Sequence, residues 1–207
     1  MGSIRPVLIL GLAAVLAFAA PERADAQGSD APAPDAPVAA VAPGDALPVE
    51  FGGPFSLIDD QGRPRSREDF LGEFRIIYFG YTECPYTCST AMVNLAAVLD
   101  ELADDGHLLG GLFITIDPQY DTPERLAEYL APIHPRFLGL TGDAEEIDRL
   151  QKTFQVHAGE AADKGGFERL YEHQPLGFLM GPKGRILTLF PPLLPTAVIA
   201  RIIHGYL

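Results

Sequence analysis

An uninterrupted apolar run, Arg75-Ile76-Ile77-Tyr78-Phe79, passes directly into Gly80-Tyr81-Thr82-Glu83-Cys84-Pro85-Tyr86-Thr87-Cys88, which holds the only two cysteines of the chain. A helical pattern follows at once, Ala91-Met92-Val93-Asn94-Leu95-Ala96-Ala97-Val98-Leu99. A β-rich run with no polar interruption is what a strand buried on both faces requires. Both thiols therefore sit on a strand-to-helix turn. The partial positive charge of a helix N-terminus favours thiolate over thiol, so this placement predicts lowered thiol pKa values. Thiolates ligate soft metals or attack disulfides, which puts the chemistry in metal handling or redox exchange.

The remaining segments alternate in type. Phe51, Phe55 and Leu57, followed by Asp59-Asp60-Gln61-Gly62, predict a hairpin and its turn. Gly111-Leu112-Phe113-Ile114-Thr115-Ile116 reads as a second buried strand, ending at Asp117-Pro118. Thr122 and Pro123 are the N-cap and first position of a helix through Leu130. Phe137 to Leu140 is a short strand and Ala144 to Phe154 a helix. Gly177 to Met180, a turn at Gly181-Pro182-Lys183-Gly184, and Arg185 to Phe190 make a hairpin, and Pro195 to Tyr206 a last helix. This order predicts an α/β fold with a central mixed sheet flanked by helices, the thioredoxin-like layout.

That domain occupies residues 51–207 of the 207-residue chain. Residues 1–26 carry Arg5, an apolar run from Val7 to Ala20 and a small-x-small site at Ala24-Asp25-Ala26, which predicts a signal peptide or, if uncut, an N-terminal anchor. The run is short of the ~20 residues of a membrane span. Residues 27–50 are an Ala/Pro-rich flexible linker. Together they predict a periplasmic or otherwise extracytoplasmic domain, tied to the inner membrane if the leader is retained. There, a close cysteine pair oxidises unless a reductant or metal protects it. Arg5 and Arg23 balance Glu22 and Asp25, so the net charge of −13 belongs to the remainder. Such acidity excludes nucleic-acid binding and suits cationic partners.

Two sulfurs alone make a poor transition-metal site, and imidazole is the donor that suits copper. Of the five histidines, His173 is the best third ligand, because it precedes the strand starting near Gly177 in a loop expected beside the cysteine turn. His157 is the second choice. His107, His134 and His204 read as surface or capping residues. Met92 shares helical spacing with Leu95, Ala96 and Leu99 and reads as core. No second cysteine pair exists for a four-cysteine zinc site, and no histidine directly follows Cys88 as haem attachment needs.

Phe79-Gly80-Tyr81-Thr82-x-Cys84-Pro85-x-x-Cys88, Phe113-Ile114-Thr115-Ile116-Asp117-Pro118-x-x-Asp121-Thr122-Pro123, Leu140-Thr141-Gly142, and His173 followed by Phe178-Leu179-Met180-Gly181-Pro182-x-Gly184 resemble the Sco/SenC family of copper-binding, thioredoxin-like proteins. The resemblance runs from about Phe51 to Tyr206. It implies a copper chaperone or thiol reductant that helps assemble the dinuclear copper site of cytochrome c oxidase, or serves another periplasmic copper or thiol protein. It implies Cys84, Cys88 and His173 as ligands of Cu(I) or Cu(II), and Asp117 and Asp121 as acidic positions near the site that also read as turn and cap residues.

The sequence departs from the family pattern at Tyr86, Ser89, Tyr120 and Glu172, where Asp, Pro, Arg and Asp are common. Pro175 stands where thioredoxins carry a cis-proline, so the Gln174-Pro175 bond is expected to be cis. The rival class is an enzyme, a thiol-disulfide reductase using Cys84 and Cys88 as its redox pair. A peroxidase is a third reading, matched loosely by Thr82-Glu83-Cys84.

Overall fold

The Arg75–Phe79 run forms β3 (Arg75–Gly80), an interior strand of a seven-stranded sheet. The computed structural model describes residue 47 and residues 51–85, 87–104, 109–162 and 165–207. The expected leader, the expected linker apart from Leu47, and Tyr86 and His107 lie outside the described residues. Strand β3 leads through α1 (Cys88–Asp104) to β4 (Gly110–Thr115), which it pairs in parallel, Ile76 opposite Gly111 and Phe79 opposite Ile114. A parallel pair needs such a crossover connection.

The sheet is completed by β1 (Ser56–Asp59), β2 (Pro64–Ser66), β5 (Phe137–Thr141), β8 (Gly177–Met180) and β9 (Ile186–Phe190), in the order β2-β1-β5-β4-β3-β8-β9. The β3–β4–β5 centre is parallel and the β1–β5, β3–β8 and β8–β9 pairs are antiparallel, so the sheet is mixed as expected. Both predicted hairpins form, and Gly62 and Gly184 take the positive φ values, 76° and 72°, that their turns require.

The two faces of the sheet separate cleanly. Tyr78 and Phe113 are register partners with ring centroids 6.3 Å apart, and Tyr129 of α2 (Pro123–Leu130) lies 5.3 Å from Phe113. On the same face, a Cβ added to Gly139 would fall 2.8 Å from Leu126 Cβ, so α2 lies tight on β5. On the other face Phe79, Phe178 and Phe154 form an aromatic cluster with centroids 5.1 to 6.2 Å apart, Phe154 ending α3 (Ala144–Thr153). Met92 is fully buried among α1's core residues, as its spacing predicts. Helix α1 is locked to the start of α4 (Thr196–His204) by Asn94, which donates to the Pro192 and Leu194 carbonyls, both at 2.7 Å, and accepts from Thr196 Oγ1 at 2.6 Å. Thr122 caps α2, its Oγ1 accepting the Arg125 N–H at 3.4 Å.

Three features depart from the sequence expectations. A 3-10 turn forms at Arg67–Phe70. Strands β6 (Ala158–Glu160) and β7 (Tyr171–His173) pair into a two-stranded ribbon apart from the main sheet. The Gln174-Pro175 bond is trans, which corrects the cis expectation. The chain passes from ribbon to β8 through a tight turn in which the Leu176 N–H donates to the Gln174 carbonyl at 3.0 Å.

Candidate metal centre

The cysteine turn begins where β3 ends. Thr82 is fixed by Asp121, whose carboxylate accepts the Thr82 hydroxyl at 2.6 Å and the Thr82 N–H at 3.1 Å. The same carboxylate accepts Thr115 Oγ1 at 2.6 Å, which ties the turn to the end of β4. The Cys84 N–H then donates back to the Tyr81 carbonyl at 3.3 Å. Cys88 is the first residue of α1 and fully buried, and Cys84 is half-buried. The Cys88 N–H donates to the Cys84 sulfur at 3.4 Å, so it is Cys84 that receives an open N–H of the helix N-terminus.

His173 arrives from the ribbon. As the last residue of β7 it lies in a strand, which corrects the loop expected for it, and its Nε2 stands 3.5 Å from Cys88 Sγ. The two sulfurs and the imidazole nitrogen all lie within 4.8 Å of one another. His173 Nδ1 faces the Gln174 carbonyl at 3.3 Å. That contact assigns the proton to Nδ1 and leaves the Nε2 lone pair for a ligand. Two phenols wall the site. The His173 ring sits 6.3 Å from Tyr81 and 6.4 Å from Tyr78, edge-on to both. Tyr81 also accepts the Tyr171 N–H on its hydroxyl at 3.2 Å, which seats the ribbon on the turn.

The electrostatics differ from the expectation of two activated thiols. The hydrogen-bonded Cys84 sulfur first, then burial, push the Cys88 thiol well above its usual range. The helix N-terminus does not lower it, because two sulfurs this close cannot both carry charge in a dry site. The reduced pair therefore holds a proton on Cys88. Burial, against the Tyr171 backbone hydrogen bond, pushes the Tyr81 phenol up to about 12, so it remains neutral at physiological pH.

The other candidates fall elsewhere. His157 is exposed beside β6, and its carbonyl accepts the Gln174 N–H at 3.3 Å. His134 pairs with Asp100 at 3.0 Å and His204 is exposed on α4. Asp117 and Asp121 are not among the converging donors. Asp121 organises the turn, and Asp117 accepts Arg169 Nη1 at 2.7 Å. Tyr81 and Arg169 were not singled out from the sequence. A tyrosine inside the cysteine motif was the available signal for the first, and nothing local marked the second.

A mixed-sheet domain with two sulfurs and one imidazole converging where a strand meets a helix is a soft-metal or dithiol protein of the thioredoxin-like class. The sequence profile of the SCO1/SenC family matches residues 44–207, and the chain belongs to that family. It is 36% identical over 142 residues to the mitochondrial SCO1 homolog of Homo sapiens, covering 68% of this chain and 47% of that protein. Among solved structures, copper-bound ScoI of Arabidopsis thaliana superposes with a TM-score of 0.70 at 30% identity, covering 75% of this chain and 99% of that one. Copper-bound ScoI of Bradyrhizobium japonicum gives 0.68 at 32% identity, covering 76% and 99%. The match spans about half the length of several curated relatives.

Proposed function

We propose that this domain is an exported copper chaperone that binds copper through Cys84, Cys88 and His173. It delivers the metal to the dinuclear copper site of cytochrome c oxidase, reduces the cysteines of that site, or does both. The observation that carries the reading is the convergence of the three donor atoms within 4.8 Å, from the only two cysteines and a histidine 85 residues beyond Cys88. Solved relatives at 30% and 32% identity are copper-bound. The donor set suits copper: two thiolates hold Cu(I), and an imidazole adds the harder donor that Cu(II) needs. A tetrahedral structural zinc site would need a fourth protein ligand.

The residues divide the work of loading. Half-buried Cys84 meets the incoming ion first. Cys88 gives up its proton as its sulfur becomes the second ligand, so loading releases a proton and is favoured as pH rises. His173, already carrying its proton on Nδ1, presents Nε2 without a tautomer change. Transfer to the acceptor returns that proton to the pair. If the acceptor's cysteines are oxidised, the Cys84 thiolate attacks one of their sulfurs to form a mixed disulfide. Cys88, deprotonating, then closes the Cys84–Cys88 bond and releases the acceptor as a dithiol.

Titration of the reduced domain with copper, wild type beside His173→Ala, tests the reading by absorption and EPR spectroscopy. One equivalent of Cu(II) with a thiolate charge-transfer band, changed or lost in the variant, supports it. Failure to form a stable copper complex, with rapid oxidation of the pair, replaces it with the thiol-disulfide reductase.

A further inference from the structure

The histidine rides on a ribbon that is not part of the main sheet, so something must hold it over the cysteine turn. Tyr171 supplies one attachment, through its N–H to the Tyr81 hydroxyl and its ring 5.1 Å from that of Tyr81. A second is built around Tyr120, in the turn between β4 and α2. The guanidinium carbon of Arg125 lies 3.9 Å from the Tyr120 ring centroid, and that of Arg169 lies 4.3 Å away. Arg169 also donates from Nη1 to Asp117 Oδ2 at 2.7 Å, and the Asp117 side chain is 4% exposed. The Tyr120 hydroxyl donates to the Glu83 carboxylate, one residue before Cys84. Two of the joined segments carry ligands: Arg169 lies two residues before β7, the strand bearing His173, and Glu83 belongs to the turn bearing Cys84.

We propose that Tyr120, with Arg169 and Glu83, is a latch that positions His173 against the two sulfurs and thereby sets the preference of the site for Cu(II). The inference rests on the copper-ligand assignment made above. Its physical basis is preorganisation: a ligand held in place before the metal arrives loses less freedom on binding. Two guanidiniums sharing one electron-rich ring gain from its quadrupole. Arg169 gains further from a carboxylate that is almost wholly out of water, which fixes the guanidinium in one orientation. Loosening the latch at Arg169 frees the imidazole and leaves in place the Asp121 contacts that hold the cysteine turn and the start of α1 that bears Cys88. The cost therefore falls on the oxidation state that depends on nitrogen.

The test compares wild type with Tyr120→Ala, Arg169→Ala and the conservative Tyr120→Phe. Cu(II) and Cu(I) affinities are measured by competition with chelators, and nitrogen hyperfine coupling by EPR. Tyr120→Ala and Arg169→Ala are expected to weaken Cu(II) roughly 5- to 20-fold, as the loss of one to two cation–π contacts implies, and Cu(I) by less than about 3-fold. Tyr120→Phe keeps the stacked ring but loses the bond to Glu83, and is expected to weaken Cu(II) less than Tyr120→Ala does. In the metal-free protein, amide exchange at Tyr171–His173 should quicken in the alanine variants relative to β3. Should an alanine variant unfold, Arg169→Gln with the exchange measurement carries the test, and Tyr120→Phe is its control. Cu(II) affinity within 2-fold of wild type and unchanged nitrogen coupling, beside a His173→Ala variant that alters both, would overturn the latch alone. If His173→Ala also changes neither, the ligand assignment fails and the latch with it.

Discussion

Replacing Asp121 by Asn, and separately by Ala, probes how the cysteine turn is held. The carboxylate is fully buried and accepts from the Thr82 hydroxyl at 2.6 Å, the Thr82 N–H at 3.1 Å and Thr115 Oγ1 at 2.6 Å. Alanine leaves all three donors without that acceptor. The two hydroxyls can rotate toward other partners, whereas the Thr82 N–H cannot. With each hydrogen bond to a charged group contributing about 1.5 kcal/mol and part of that returned as relieved desolvation, Asp121→Ala should cost about 3 kcal/mol. Asparagine keeps the shape and one acceptor, so Asp121→Asn should cost about 1 kcal/mol at neutral pH. The pH dependence is the sharper test. Burial raises the Asp121 pKa, and the hydrogen bonds from Thr115 and Thr82 do not fully offset it. A carboxyl raised in the folded state contributes stability that is fully present below its unfolded pKa of about 4 and is lost as pH rises through the folded value. The penalty of Asp121→Asn should therefore be largest near pH 4 and shrink toward pH 7. Urea unfolding at both pH values, read from midpoints at a common m-value, measures it. A penalty that grows with pH would show the buried anion to be net favoured and refute the reasoning.

Asp59 should behave in the opposite sense. Burial pushes its pKa up, but hydrogen bonds from the Arg63 backbone, the Arg65 and Arg63 side chains and the Gln61 backbone outweigh it and hold the pKa at about 2. Its folded pKa lies below the unfolded one, so it should contribute about 2 kcal/mol at neutral pH, lost as pH falls from about 4 through about 2. An Asp59→Asn variant whose acid-unfolding midpoint matches wild type would contradict this. Tyr78→Phe should change the stability of the metal-free domain by less than about 1 kcal/mol, because the buried Tyr78 hydroxyl meets no nitrogen or oxygen partner and has only the weak Cys88 sulfur beside it. A drop in the thermal midpoint of several degrees would reveal an unrecognised partner.

The sequence carries the frame of this domain clearly and the third donor of its candidate metal centre only faintly. Ile76 to Phe79 are each at most 1% exposed, and such apolar runs announce themselves without knowledge of their neighbours. Thr122-Pro123 announces a helix start because capping is a local event. The β6–β7 ribbon has no such signature. Ala158-Gly159-Glu160 and Tyr171-Glu172-His173 are too short for a period, and their residues are exposed or half-buried rather than core. His173 could be named from its place before the Gly177 strand, but not the strand that bears it. The pairing of Tyr120 with Arg169 was hidden for a related reason: a charge–ring contact between distant segments leaves no spacing to read. The expectation for the thiols failed at Cys88 because the open N–H at the start of the helix points to the Cys84 sulfur, and that sulfur in contact holds the proton on Cys88.

The separateness of the ribbon makes this centre modular. Its sulfurs are fastened to the cooperative body of the domain and stay as long as β3 and α1 stay. Its nitrogen sits on an annex of two three-residue strands, an element that does not stand by itself in water. Changes in the annex can therefore retune the discrimination between the two valences of one metal without disturbing the folding of the body. In the proposed delivery of copper, an acceptor that engages the annex would find the nitrogen the easiest of the three donors to draw away, so release would begin there while the sulfurs still hold the ion.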